Sequence, residues 1–392
     1  MRVAIVSPHP VYPPDSGDRV RTSQLLTGLR KHGVEPHLVA WSWSKHVAES
    51  PWPSEFIPGK PFARLPWLAW RLELYARRRL DPFAQFRMAV VRSTLVPAIL
   101  RASPDVVDFQ HPYTWVPTGI PDVCTFHNAE THLAPHLGQT TVRRVNAVRE
   151  LEKRVLASVR AAVVFSEADA VRLHTLAPSD AFVATVPLGL RPMGAPRKTT
   201  HSRHMRSAVF VGTLSYPPNA DAARALVEMW PRLRAESGLE RLVIVGRDAL
   251  RVVKGGDGIE VFSDVDSITP FLVDADVMLV PLLAGGGVRV KIIEAFAHGL
   301  PVVSTSIGVE GLAVQDGVHA VVVDEPADIP TRLQQLASVG TRRKLADGAY
   351  ELWQTEYSPE TMVASMLEVY ERTLRGARQA DPTPAKEWST RS

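Results

Sequence analysis

Residues 276–311 read DVMLVPLLAGGGVRVKIIEAFAHGLPVVSTSIGVEG, and they hold the residue types best suited to chemistry in this chain. Three consecutive glycines, Gly285, Gly286 and Gly287, come just before two cations, Arg289 and Lys291, and an acid, Glu294. Glycines let backbone N–H groups approach an anion, and the start of a helix adds partial positive charge. Arg289 and Lys291 stand where they add full charges. Glu294, at i+3 from Lys291, is placed to accept hydrogen bonds from sugar hydroxyls. The chemistry expected is the holding of a nucleotide diphosphate. The competing reading is a glycine loop of the common α/β kind, followed by a solvated Lys–Glu pair.

The surrounding elements must position these groups. Val277–Leu283 has the length and apolarity of a buried strand, and Val290, Ile293, Ala297 and Leu300 recur at helical spacing. Pro301–Ser304 reads as a second strand, so the unit is strand, glycine loop, helix, strand. The N-terminal part has the same grammar. Arg2–Ser7 reads as a buried strand and Asp18–His32 as an amphipathic helix, with the loop SPHPVYPPDSGDR between them. Such a loop lies at the carboxyl edge of a parallel sheet, where α/β proteins bind ligands. It is not a Gly-x-Gly-x-x-Gly fingerprint, which argues against a nicotinamide cofactor. Asp18 would repel a phosphate, so it is expected either to face acceptor hydroxyls or to cap the helix. Two further strands, Asp105–Phe109 and Val123–Phe126, end in Gln110–His111 and in His127–Asn128–Ala129–Glu130. Their histidines are expected to share one crevice, with Glu130 on the acceptor side.

The stretch EAFAHGLPVVST resembles the C-domain signature of glycosyltransferase family 4, and the flanks GGGVRVKIIEA and SIGVEGL resemble a branch of it. TFHNAE, VVFSEAD and PLGLRP resemble the family's first domain and the exit from it, so the likeness spans most of the chain. The resemblance implies an α/β GT-B architecture: two Rossmann-like doubly wound domains facing a cleft, with a C-terminal helix crossing back to the first domain. It also implies retaining, metal-independent transfer of a sugar from a nucleotide-diphosphate donor. Glu294 would then bind the ribose, Phe262 and Ser263 would lie where the nucleobase is read, and His127 would lie beside the donor sugar. Gly17 would let the backbone approach the donor phosphates or the acceptor. Two departures stand out. Many members carry a glutamate at the position of Gly286, and many carry an Arg and a Lys within the stretch that is Thr213–Asp221 here, where Tyr216 and Asn219 stand instead. More of the phosphate neutralisation therefore falls on Arg289 and Lys291, which with His127 form the expected catalytic set.

At 392 residues, with 45% hydrophobic and 22% charged content, the chain suits two globular domains. The expected division is 1–190, a basic linker at 191–206, 207–375, and a polar tail at 376–392. The single cysteine, Cys124, excludes an internal disulfide and a cysteine-based metal site. Asp274–Ala275–Asp276 has the letters of a metal motif but precedes a strand, so a loop turn is expected and no metal. No apolar run approaches a membrane span, and MRVAIVSPHP does not read as a signal peptide, so cytoplasmic residence is expected. A formal net charge of +4 does not demand a nucleic-acid partner. The aromatic and arginine-rich segment 64–79 reads either as a helix covering the first core or as a peripheral contact with an anionic membrane or lipid-linked acceptor. The partners expected are a nucleotide-diphosphate sugar and a glycan, lipid-linked or small-molecule acceptor. The alternatives are a sugar-nucleotide epimerase and a non-catalytic nucleotide-sugar binder.

Overall fold

The structure, a computed structural model, describes residues 1–14, 16–42, 49–58, 89–133, 142–191 and 204–379. The segment 64–79, most of the linker and most of the tail therefore lie outside the described residues. The chain divides into two units. The first takes in Met1–Pro135, Gln139–Val186 and the chain from Val363 onward; the second runs from Pro187 to Met362.

In the first unit the elements are β1 (Arg2–Ser7), α1 (Gly17–Lys31), β2 (Glu35–Ser42), β3 (Ser54–Pro58), α2 (Ala89–Arg101), β4 (Val106–Phe109), β5 (Asp122–Thr125), α3 (Glu130–Leu133), α4 (Val142–Leu156), β6 (Ala161–Val164), α5 (Glu167–His174) and β7 (Val183–Thr185). The strands pair in parallel in the order β3-β2-β1-β4-β5-β6-β7. Central strands of such a sheet are covered on both faces, so they need apolar side chains throughout. RVAIVS and AAVV show this, each buried after at most its first residue. Strand β3 was not expected in a stretch of tryptophan and proline whose pattern dissolves. It is a sheet edge, where a proline costs no ladder hydrogen bond on the outer side.

The second unit has β8 (Ser207–Val211), α6 (Pro217–Ser237), β9 (Arg241–Gly246), α7 (Ala249–Val252), β10 (Ile259–Ser263), α8 (Thr269–Asp274), β11 (Val277–Val280), α9 (Val290–Ala297), β12 (Val302–Thr305), α10 (Ser306–Val309), β13 (Val321–Val323), α11 (Ile329–Leu333) and α12 (Val339–Glu356). Its strands are also parallel, in the order β10-β9-β8-β11-β12-β13. Two elements are shorter than the sequence suggests. Strand β11 stops before Pro281, which has no N–H to donate. Helix α9 stops at Ala297 because Gly299 takes a left-handed φ of +66° and Leu300 N–H closes back on the Ala295 carbonyl at 2.9 Å.

The last helix, α13 (Pro359–Gln379), starts in the second unit and continues in the first. The reason lies in its side chains. Val363 packs where a Cβ on Gly28 would collide with it, the Tyr370 hydroxyl donates to the buried Asp108 carboxylate at 2.7 Å, and Arg372 lies 3.6 Å from the centre of the Phe182 ring. In both sheets the strand order reverses beside the first strand, between β1 and β4 and between β8 and β11. Ligands of open α/β sheets bind outside the carboxyl ends at such a point.

Candidate functional site

At the reversal point of the second unit, β11 leads through the glycine loop into α9. Ile292, Ile293, Ala295, Phe296 and Ala297 face the core, which turns Lys291 and Glu294 to the other side, half-buried. Gly285 and Gly287 hold φ values of +134° and +67°, a backbone that side chains other than glycine rarely adopt. Arg289 stands at the helix N-cap, 8% exposed. Its Nη1 donates to the carbonyl oxygens of Gly286 and Gly287, and its Nη2 to that of Ile307 at 3.4 Å. The guanidinium thus braces the loop as well as charging it, a role that spacing alone did not suggest.

Lys291 does not pair with Glu294 as a solvated ion pair would. Its Nζ donates to Asn219 Oδ1 at 2.8 Å and lies 4.4 Å from the centre of the Phe210 ring. Asn219 in turn donates to the Thr213 carbonyl at 3.0 Å, so the β8–α6 loop and α9 are tied through the ammonium. Gly212 permits this closeness, since a Cβ there would lie 3.0 Å from Lys291 Nζ. Burial lowers the Lys291 ammonium to about 7, Arg289's charge adding to the fall and Glu294 opposing it. Burial raises the Glu294 carboxyl to about 7 against the pull of Lys291. Both groups thus titrate near neutrality, as expected of half-exposed charges set against low-dielectric protein.

Phe262 and Ser263 end β10 on the same carboxyl edge. Phe262 is 37% exposed with its ring 4.8 Å from that of Phe271, and Ser263 Oγ donates to Asp264 at 2.9 Å. Among the described residues no hydrogen bond joins either to the glycine loop. Asp274 is paired with Arg241, and Asp276 accepts the N–H groups of Arg206 and Ser207 at 2.8 and 3.1 Å. Both carboxylates of the Asp-x-Asp letters are thus engaged within the unit, Asp276 at the start of β8 and Asp274 at the start of β9. Among the described residues no group of three or more His, Cys, Asp or Glu side chains is arranged to hold a metal ion.

At the reversal point of the first unit, Gly17 opens α1 and Asp18 follows. Asp18 does not cap the helix. One of its oxygens lies 2.7 Å from His9 Nε2, and the other accepts from Ser16 Oγ at 2.6 Å. Burial would raise its pKa, but the hydrogen bond and charge of His9 and the Ser16 hydroxyl hold it well below the usual carboxylate range. His111 and His127 do come together, their rings stacked 3.9 Å apart, with Tyr113 stacked on His111 and Phe165 edge-on to His127. Burial drives the His111 imidazole down to about 3, and burial with the charge of His111 and Arg21 drives His127 well below its ordinary value. Both are neutral at pH 7. Glu130 starts α3, accepts from Asn128 Nδ2 at 3.1 Å, and is raised by burial.

Sequence reading missed Arg21, Asn219 as a partner of Lys291, and Glu152. Arg21 is fully buried, with Nη1 on Gln110 Oε1 at 2.8 Å and its guanidinium 4.5 Å over the Phe165 ring. Its i+3 place after Asp18 was the one available signal.

Residues 206–338 match the model of the family Glycosyl transferases group 1. No curated protein matches the chain. Among solved structures, sucrose-phosphate synthase from Thermosynechococcus elongatus aligns with a TM-score of 0.71 at 16% identity, covering 96% of this chain and 100% of the other. Anabaena Alr3699/HepE in complex with UDP aligns at 0.66 and 13% identity, covering 95% and 100%. WaaG, a glycosyltransferase involved in lipopolysaccharide biosynthesis, aligns at 0.62 and 16%, covering 93% and 99%. The fold is GT-B. Within that GT-B fold, the glycine loop, Arg289, Lys291 and Glu294 all fall inside the part that matches the family model. Among the described residues no helix is long and apolar enough to cross a membrane.

Proposed function

We propose that this chain transfers a sugar from a nucleoside-diphosphate donor to an acceptor hydroxyl, retaining the anomeric configuration and using no metal, as the family 4 resemblance implies. The diphosphate rests on the backbone of Gly285–Gly287, on Lys291 and on the outer edge of Arg289, with its ribose on Glu294 and its base toward Phe262 and Ser263. As the glycosidic bond breaks, negative charge grows on the departing phosphate. Preorganised cations and N–H groups stabilise that charge, and this supplies most of the catalysis. Front-face attack lets the same phosphate take the acceptor proton, so no carboxylate pair is required. His127, neutral and stacked on His111, lines the donor-sugar side, while Gly17, Asp18 and Glu130 serve the acceptor, a glycan, a lipid-linked glycan or a small metabolite.

The observation that carries this reading is a half-buried ammonium, Lys291, held by Asn219 beside a left-handed glycine loop at the sheet's reversal point. The structural neighbour solved with UDP is its companion support. The test is a thermal-shift panel of UDP-, GDP-, dTDP- and ADP-sugars, since a ligand bound to the native state raises apparent stability. One donor class should raise the melting temperature by several degrees, and Lys291→Met should abolish the rise. A flat response to the whole panel would overturn the proposal.

A further inference from the structure

In the first unit, the turn from β5 into α3 carries His127 and Glu130, and one side chain from α4 grips it. The Glu152 carboxylate is fully buried. Its Oε1 accepts the Glu130 N–H at 2.8 Å; its Oε2 accepts the Thr131 N–H at 3.1 Å and the Thr131 hydroxyl. Helix α3 is four residues long, too short to be stable by its own hydrogen bonds. The residue before it is Ala129, whose side chain offers no acceptor for the free N–H groups of the first turn. An acid from more than five turns away in sequence does the work that a local serine or aspartate usually does.

We propose that Glu152 is a positioning residue: its carboxyl group, through three accepted hydrogen bonds, fixes the His127–Thr131 turn at the carboxyl edge of the sheet and so sets where His127 and Glu130 are presented. The purpose of that presentation rests on the sugar-transfer reading; the grip itself does not. A purely structural join between α3 and α4 would be cheaper if made by apolar packing, because an isolated buried charge is costly. Burial exacts that cost by lifting the Glu152 carboxyl to about 7, with the three donated hydrogen bonds pulling it down and Glu130 pushing it up, and above that pH the group is the anion the three donors call for. What the anion provides, and an apolar residue could not, is a fixed direction for two consecutive N–H groups.

The test compares wild type with Glu152→Gln and Thr131→Val by amide exchange and by NMR of histidine-labelled protein. Gln keeps the shape but turns one N–H donor against the backbone N–H groups. The expected result for Glu152→Gln is exchange of the Glu130 and Thr131 amides at least tenfold faster and a displaced His127 ring resonance, with the His298 resonance in the second unit unmoved. Thr131→Val, which removes one donor, should shift the same signals by less, and it carries the test alone if Glu152→Gln does not fold. Unchanged exchange and an unmoved His127 ring in a folded variant would overturn the proposal. So would a uniform rise in exchange across the first unit, the mark of a merely structural residue. None of these readouts needs turnover, so they stand or fall apart from the nucleotide-sugar panel.

Discussion

The two reversal points share a topology and differ in their charge. In the second unit the strand ends carry a glycine loop, an arginine bracing it and a half-buried ammonium tied to Asn219. In the first they carry Asp18 paired with His9, a neutral stack of His111 and His127, and an arginine sealed beneath them against Gln110 and Phe165. A parallel sheet supplies the place in both cases, since loops at its carboxyl ends converge where the strand order reverses. The chemistry comes from what the loops bring. Cations and free N–H groups suit an anion; an ionised carboxylate and neutral imidazoles suit hydroxyl groups. The same scaffold carries different groups at its two edges.

The sharpest way to break this contrast is to remove the ammonium. Lys291→Met should weaken binding of the nucleoside diphosphate that the sugar-nucleotide panel selects tenfold to a hundredfold by calorimetry, the size of one charge-assisted hydrogen bond of roughly 1.5–3 kcal/mol. A smaller loss than threefold would mean that the second edge is not the anion site. The pH dependence sharpens the same point. Because Lys291 titrates near 7 when free and a bound diphosphate would raise its pKa, binding takes up a proton. Affinity for that nucleoside diphosphate should therefore fall as pH rises above about 7, by up to about tenfold per unit, and Lys291→Met should flatten the slope.

On the first unit the largest expected effect is on stability. Tyr370→Phe leaves the buried Asp108 carboxylate with Thr125 as its remaining hydroxyl donor and should lower unfolding free energy by about 1–3 kcal/mol in urea titration. Smallest is Asp18→Asn. Asp18 and His9 are each about a quarter to a third exposed, so solvent screens the pair, and the loss should stay below about 1 kcal/mol. With its folded pKa depressed, Asp18 contributes above its ordinary value of 3.8 and loses that contribution as pH falls. The variant should accordingly differ from wild type in melting temperature at pH 7 and converge with it in acid. If Asp18→Asn instead left acid behaviour unchanged, the first edge would not hold an ionised carboxylate, and the contrast would be lost.

Much of the architecture was legible in the chain before any coordinates. Buried parallel strands must be apolar along their length, so RVAIVS, RLVIVG and the run from Val277 announce themselves, and the helices between them carry a readable periodicity. Strand β3 did not, because a five-residue edge strand with one buried side chain has no period to detect. The candidate residues were legible as types. Gly285–Gly287, Arg289, Lys291 and Glu294 stood out because three glycines followed by cations and an acid at the start of a helix suit an anion and a sugar.

What the sequence determined by itself was therefore the succession of strands and helices and the kinds of groups at their ends. Backbone sterics and the burial of apolar faces depend on neighbours only a few residues away. The tertiary structure alone decided the partners. Asn219 meets Lys291 across 72 positions, Glu152 meets Thr131 across 21, and Tyr370 meets Asp108 across 262. No local pattern encodes such pairs. Whether an ionisable group is buried, and against what charge, is fixed only when distant segments pack, and that is what brings Lys291 and Glu294 to neutrality and keeps His127 uncharged.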